Sequence, residues 1–230
     1  LRKSIRDFLF EVDTGNCIPI CCKTPQYVPH ETRIMTELIT ALDLNGLVSD
    51  DFGPWGAIIV LAAKPGQYNI PWEKFKWRLC VSYRKLNQVT KPFQYPIPRC
   101  DDAVEEIPPW TVAFISIDMD SGYWQIKASK LTKHKLAFFG PNMKKTWDVM
   151  PMGAKNSMAV FVAMMDIISK EWNNKAKSKH VRRVGSQPIV DDVLLYADSI
   201  ETLLYYFQVV LNTIMYWQAT VKVAKCKMLF

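Results

Sequence analysis

The alternation of apolar and polar positions along the chain changes period several times, and each change marks an element. Between residues 32 and 44, Ile34, Leu38, Ala41 and Leu42 recur at helical spacing and Asn45-Gly46 follows as a stop, which predicts a helix. The run Ala57-Ile-Ile-Val-Leu-Ala62 has no polar interruption and predicts a buried strand. A polar loop containing Pro65 and Gly66 leads to Trp77–Tyr83, where the period is two. Arg78, Cys80, Ser82 and Arg84 share one face there, and Leu79, Val81 and Tyr83 the other. The two strands read as a hairpin with a basic rim. Prolines 92, 96, 98, 108 and 109 interrupt the next stretch, leaving room for a short helix between Asp101 and Ile107.

From Phe114 the alternation is strict. Ile115, Ile117 and Met119 point one way, and Phe114, Ser116, Asp118 and Asp120 the other. A strand with one apolar and one carboxylate face belongs to an antiparallel sheet covered by helices on one side. Gly140-Pro-Asn142 turns a further hairpin that ends at Met150-Pro-Met-Gly153. A Met-rich helix is expected from Ser157 to Ser169, burying Val160, Phe161, Met164, Met165 and Ile168, with the methionines as core filler. After a basic loop, apolar strand halves in Pro188–Ala197 flank Asp191-Asp192 and predict a hairpin tipped by two carboxylates. Asp198 and Glu201 form a capping box for a helix of Leu203, Leu204, Phe207, Leu211 and Ile214. Strands and helices alternate without dinucleotide-binding glycines or a phosphate loop, so the class is α+β.

Composition narrows the class further. With 49% apolar, 22% charged and 12% aromatic residues, the chain has a core to bury and is not a disordered segment. The longest apolar run, Trp55–Ala63, has nine residues, against about 20 for a membrane span, so no membrane partner is expected. The chain starts at Leu1 with no signal-peptide pattern and reads as an excised fragment. Cys17, Cys21 and Cys22 cluster, but no second Cys/His pair stands at zinc spacing and the three histidines are isolated. Reduced thiols in an intracellular, cytoplasmic or particle-associated protein are the expectation.

The net charge of +7 is unevenly spread. Segments 64–91, 127–145 and 169–187 carry +6, +6 and +5, whereas 92–126 carries −5. Basic stretches around an acidic centre suit a polyanion held at its phosphates while metal ions sit on carboxylates. Solvated lysine-rich loops would give the same count. Asp118 on an open sheet face and Asp191-Asp192 on a hairpin tip supply the hard oxygen donors that magnesium prefers, and two-metal chemistry needs several such groups converging. Each feature alone also fits ordinary strand and turn chemistry.

The surrounding residues carry a resemblance. Phe114-Ile-Ser-Ile-Asp118-Met-Asp-Ser-Gly122-Tyr123-Trp-Gln125-Ile126 resembles the first catalytic motif of reverse transcriptases from gypsy-like long-terminal-repeat retroelements and retroviruses. Trp77-Arg78-Leu-Cys-Val81-Ser-Tyr83-Arg84-Lys-Leu86-Asn87 is similar to their fingers motif, and Tyr95-Pro-Ile-Pro98 to the start of their palm. Met150-Pro-Met-Gly153-Ala-Lys155-Asn156 resembles the segment beside the templating base pair. Ile189-Val-Asp191-Asp192 stands where the family has its Tyr-x-Asp-Asp box, and Lys225-Cys226-Lys-Met-Leu-Phe230 resembles the close of the palm.

The resemblance implies a right-hand polymerase, with fingers at 1–93 and 127–157 and palm at 94–126 and 158–230. Thumb, connection and ribonuclease H are then absent from this chain. It implies RNA-directed DNA polymerase activity on an RNA or DNA template and a primer, using deoxynucleoside triphosphates. Two magnesium ions, with manganese as a substitute, would be held by Asp118, Asp191 and Asp192. Lys64 and Arg78 would reach phosphates, and Tyr123 would lie under the sugar and exclude a 2′-hydroxyl. Met152, Gly153 and Lys155 would line the nascent base pair. Several positions depart from the family pattern. Ile189 replaces the box tyrosine, Ser82 stands where the fingers motif has Asp, Met152 and Met158 replace pocket residues, and 169–187 is long for its place. Two other readings remain open at this point: a catalytically decayed nucleic-acid-binding remnant of the same fold, and a two-metal nuclease.

Overall fold

The computed structural model describes residues 5–6, 8–67, 71, 75–97, 99–179, 181–189 and 192–229. In chain order the elements are β1 (Leu9–Phe10), α1 (Pro29–Leu44), β2 (Val48–Asp50), β3 (Ala57–Ala63), β4 (Trp77–Ser82), α2 (Arg84–Val89), α3 (Cys100–Glu105) and β5 (Ala113–Asp118). There follow β6 (Lys127–Ala128), β7 (Phe138–Gly140), β8 (Met143–Trp147), α4 (Ser157–Ser178), β9 (Val184–Ile189), β10 (Asp192–Ala197), α5 (Ile200–Tyr216) and β11 (Lys227–Leu229). The α+β class takes the form of two units, each with a main sheet, and the first also holds the parallel pair β1-β6. The first holds Leu9–Pro92 and Ile126–Ser157, and the second Phe93–Gln125 and Met158–Phe230 together with Lys3–Phe8.

In the first unit the sheet order is β2-β8-β7-β3-β4, antiparallel except where β3 runs parallel to β7. The β3–β4 hairpin pairs from Ile58 opposite Ser82 to Ala63 opposite Trp77. Its first strand is not buried on both faces as the apolar run suggested. Ala57 and Ile59 are buried, but Val60 is 49% exposed, because only one face of β3 is covered. The second strand stops at Ser82, so Arg84 does not continue the basic rim but opens α2. Tyr83, between the strand and α2, is buried in the core, its hydroxyl donating to the Leu136 carbonyl at 2.8 Å. The β7–β8 turn forms at Gly140-Pro-Asn142, with Asn142 at φ 55°.

The helix α1 begins at Pro29, three residues before the apolar pattern, because proline pre-sets the first helical turn. It packs on β2, β4 and β7 through Met35 and Ile39. Ala41 is exposed, and Ile34, Leu38 and Leu42 are only half-buried. The buried stripe lies one position round the wheel from the expected one.

Four lysines of segment 127–145 are used inside this unit. Lys145 is bracketed by Asp43 at 2.7 Å and Asp50 at 2.9 Å, and these hydrogen bonds push its pKa up. Lys144 pairs with the nearly buried Asp51 at 2.9 Å. Lys133 pairs with Asp148, and Lys135 donates to the Val12 carbonyl at 2.8 Å. The charge count therefore overstated what this segment offers a polyanion. Neither loop solvation nor phosphate binding accounts for these side chains.

In the second unit the sheet order is β11-β5-β10-β9, antiparallel throughout. Helix α5 packs across β5, β10 and β9 and buries Leu203, Tyr206, Val209, Val210, Thr213 and Ile214. Leu204 is exposed, and Phe207 and Leu211 are half-buried, so the expected stripe is again shifted. Its cap is Ser199, whose Oγ accepts from the Thr202 N–H at 3.2 Å. Asp198 lies one residue before the cap and pairs with Arg183 at 3.7 Å, so the expected capping box does not form.

Helix α4 runs to Ser178, nine residues past its expected end. The apolar repeat continues through the buried Trp172 and Ala176, and the i,i+4 pairs Asp166–Lys170 and Glu171–Lys175 support the extension. Phe161, Met164, Met165 and Ile168 are buried as expected, and Val160 is half-buried. The stretch 169–187 is thus largely helix α4 and strand β9 rather than a loop. Among the described residues no helix is long and apolar enough to cross a membrane. The cysteines with described side chains, Cys17, Cys21, Cys22, Cys80 and Cys226, are free thiols.

Candidate active site

The alternation of β5 drives Ala113, Ile115 and Ile117 into the core and leaves Ser116 and Asp118 on the other face. In β10 the same rule buries Val193 and Leu195 and exposes Asp192. The antiparallel register sets Asp192 directly opposite Asp118. Opposed residues in such a ladder have Cβ atoms about 4.5–5.5 Å apart, so two carboxylates separated by 74 positions meet on one face. On the other side of β10, Asp192 pairs with Ile189, and Asp191 lies outside the described residues.

Asp118 already holds a cation. The Lys225 Nζ stands 2.6 Å from its Oδ2, with the Asp118 side chain 18% and the Lys225 side chain 56% exposed. The lysine is placed by the short turn Val223–Lys225, and the Lys222 N–H donates to the Asp118 carbonyl at 2.8 Å, fixing the end of β5. Among the described residues no group of three or more His, Cys, Asp or Glu could hold a metal ion. The two opposed carboxylates are nonetheless hard oxygen donors, and the ammonium on Asp118 shows that a cation suits the place.

Tyr123 lies in the turn Gly122–Gln125 that follows β5. The fully buried Gln125 builds this turn. Its Nε2 donates to the Asp120 and Thr220 carbonyls at 2.8 and 2.9 Å, and its Oε1 accepts from the Thr220 N–H at 2.8 Å. Phe161 lies so close over Gly122 that any Cβ there would meet its ring at 2.7 Å. The Tyr123 ring meets Phe161 edge-on at 5.2 Å between centroids, which leaves it half-buried. It is a packed, partly exposed aromatic.

Tyr95, from the Tyr-Pro-Ile-Pro segment, donates to the Asp166 Oδ2 at 2.6 Å, and Lys170 reaches the same oxygen at 2.7 Å. Partial burial pushes the Asp166 carboxyl up, but the hydrogen bonds from Lys170 and Tyr95 outweigh it, and the carboxyl titrates below its usual range.

The remaining candidates belong to the first unit. Lys64 and Arg78 are exposed on the β3–β4 hairpin, whose end is closed by the Lys64 N–H donating to the Lys76 carbonyl at 2.9 Å. Gln67, 8% exposed, bonds the same backbone from within the loop. Met152 is 57% exposed. Gly153 has φ +83°, a conformation that disfavours any side chain. Asn87 clamps this loop to α2: its Nδ2 donates to the Gly153 carbonyl at 2.9 Å and its Oδ1 accepts from the Lys155 N–H at 2.8 Å. The Lys155 ammonium donates to the Thr90 carbonyl at 2.7 Å, so it anchors the loop.

Asn87, Gln125 and Lys225 are the residues that sequence reasoning did not single out. Nothing in the mostly polar run Arg84–Gln88 marks Asn87, and Gln125 is a single amide between Trp124 and Ile126. Lys225 stands 107 positions from Asp118, and nothing local points to their meeting.

A family model described as "Reverse transcriptase (RNA-dependent DNA polymerase)" matches residues 63–230, and the chain belongs to that family. The retrovirus-related Pol polyprotein from transposon opus of Drosophila melanogaster is 27% identical over 192 residues, 84% of this chain and 18% of that protein. An RNA-directed DNA polymerase homolog of Oenothera berteroana is 35% identical over 95 residues, 41% of this chain and 66% of that one. The structure of the foamy viral protease-reverse transcriptase in complex with an RNA/DNA hybrid superposes with a TM-score of 0.81 at 17% identity, covering 98% of this chain and 28% of that chain. This chain therefore has the fold of a retroviral-type reverse transcriptase and spans less than a fifth of the transposon polyprotein it matches.

Proposed function

We propose that this chain is the fingers and palm of an RNA-directed DNA polymerase from a retroelement, the first unit being fingers and the second palm. The observation that carries the reading is the register pairing of Asp118 with Asp192, which sets two carboxylate residues opposite each other on one sheet face. In this reading Asp118, Asp191 and Asp192 hold two divalent ions, magnesium or, as a substitute, manganese. When bound, such ions lower the pKa of a primer 3′-hydroxyl and neutralise charge on a triphosphate.

The chain's own residues do the rest. Asp118, which pairs with Lys225 at 2.6 Å, would hold a divalent ion in place of that ammonium. Tyr123, packed on Phe161, would be the ring against which a 2′-hydroxyl clashes. Arg78 offers a bidentate fork and Lys64 a point charge to phosphates. Gly153, having no side chain, allows a base pair to approach the backbone, while Met152 covers its edge. Template, primer and deoxynucleoside triphosphates are the proposed partners, in a polyprotein that supplies thumb and ribonuclease H.

Primer extension tests this directly. With magnesium, the chain joined to its downstream thumb is expected to extend a primer on RNA and DNA templates, and Asp192→Asn to reduce the rate at least a hundredfold. Binding of template and primer without extension would favour the decayed remnant, and strand cleavage the nuclease.

A further inference from the structure

Helix α5 has an outer face that the proposed chemistry does not use. Tyr205, Gln208, Asn212 and Tyr216 recur at helical spacing and all four are exposed, the two tyrosines by 42% and 56%. The rings are eleven residues apart, three turns, or about 16 Å along the axis. Cations flank them. Arg6 and Lys175 both lie over the Tyr216 ring, at 5.5 and 5.2 Å, and Lys179 lies over Tyr205 at 5.8 Å. Trp217 stands edge-on to Tyr216 at 6.0 Å, and Phe8 packs on Trp217 at 5.7 Å.

A solvated helix face ordinarily carries charges of both signs. Among its 17 residues α5 has one charged side chain, Glu201, in its first turn. Glu171, beside the cluster, is held by Lys175 and accepts from the Trp217 indole at 2.7 Å. From Tyr205 to Tyr216 the face is therefore aromatic and amide, with Glu201 one turn before Tyr205 and cations over its rings.

We infer that this face of α4 and α5 is a binding surface for single-stranded nucleic acid, separate from the carboxylate site. Unpaired bases stack on such rings without regard to sequence as Arg6, Lys175 and Lys179 turn from the ring faces to the phosphates. The amides of Gln208 and Asn212, between the rings, offer donors and acceptors to base edges. A duplex, whose bases already stack on each other, gains little from the rings.

Fluorescence anisotropy with labelled twelve-nucleotide oligo-U, oligo-dT and an RNA/DNA hybrid of the same length tests this inference. The proteins compared are the wild type, Tyr205→Ala/Tyr216→Ala, Asn212→Glu and Lys179→Gln. Asn212→Glu replaces an exposed side chain, so it keeps the surface testable if the tyrosine pair proves unstable in thermal melts. The single strands are expected to bind the wild type, and the double variant and Asn212→Glu to weaken that binding about tenfold. Lys179→Gln is expected to lower the salt slope by about 0.7, the share of one phosphate contact. Oligo-U and oligo-dT distinguish RNA from DNA as the ligand, and either satisfies the inference. No single-strand binding by wild type, unchanged affinity in folded variants, or equal loss of hybrid binding would overturn it. Self-association that Asn212→Glu abolishes, with no oligonucleotide bound, would overturn it in favour of a protein interface.

Discussion

Asp118 and Asp192 face each other across the β5–β10 ladder, and Lys225 rests on the first of them. Like charges directly opposite cost about 0.2–1 kcal/mol in a sheet, and the lysine offsets part of that. Replacing it separates the two roles of the pair. Lys225→Gln is expected to lower stability without metal by no more than about 1 kcal/mol, because the lysine is more than half exposed. It is also expected to enlarge the stabilisation by magnesium, since the ion no longer competes with an ammonium. Melts across a magnesium series check this, and a smaller magnesium response in the variant would contradict it.

The Tyr123 ring packs on Phe161 at 5.2 Å between centroids and is half-buried. Tyr123→Val is expected to raise ribonucleotide incorporation relative to deoxynucleotide incorporation by tenfold or more, because a steric clash is removed rather than an attraction weakened. The ratio of incorporation efficiencies for matched nucleotides measures it. An unchanged ratio would leave Tyr123 as a packing residue.

The clamp on the 150–156 loop predicts a stability effect. Asn87→Ala removes two hydrogen bonds, each worth about 1 kcal/mol net, and is expected to destabilise the first unit by about 1–2 kcal/mol. Gly153→Ala forces a side chain into a left-handed conformation at a cost of about 1 kcal/mol. Denaturant unfolding followed by tryptophan fluorescence would detect both, and neutral effects would show the loop to be loosely held.

What could be read beforehand follows from the range of the interactions. The β5 alternation and the turn at Gly140-Pro-Asn142 are local, and each appears where its pattern placed it. The faces of α1 and α5 depend on which sheet each helix meets, and both were displaced by about one position on the helical wheel. Helix α4 was cut short because its basic residues outweighed the continuing repeat of Trp172 and Ala176. Charge counting assigned Lys133, Lys144 and Lys145 to solvent or a polyanion, whereas long-range pairs with Asp148, Asp51, Asp43 and Asp50 hold them in the fold. Asp118 and Asp192 were legible as candidates. Their opposition was not, since it depends on a strand register fixed by the whole sheet.

The Asp166 network predicts a pH dependence. Its carboxyl titrates below the ordinary range in the folded protein, so its contribution is present above the unfolded value of about 4 and is lost as pH falls through the folded value. Asp166→Asn is expected to flatten the acid limb of the stability curve below about pH 4 while lowering stability at neutral pH. Melts between pH 2.5 and 7 (a range of about that width) check the sign, and an acid limb identical to wild type would remove Asp166 from the account.

The carboxylate pair is tested most directly by thermal melts of wild type and Asp118→Asn, each with magnesium and with a chelator at matched ionic strength. Without metal, the variant is expected within about 1 kcal/mol of wild type, because one like-charge repulsion and one half-exposed ion pair are lost together. With magnesium at a hundred times its dissociation constant, wild type should gain about 2.7 kcal/mol and the variant distinctly less. Equal magnesium responses in the two proteins would contradict a metal site built on Asp118 and Asp192.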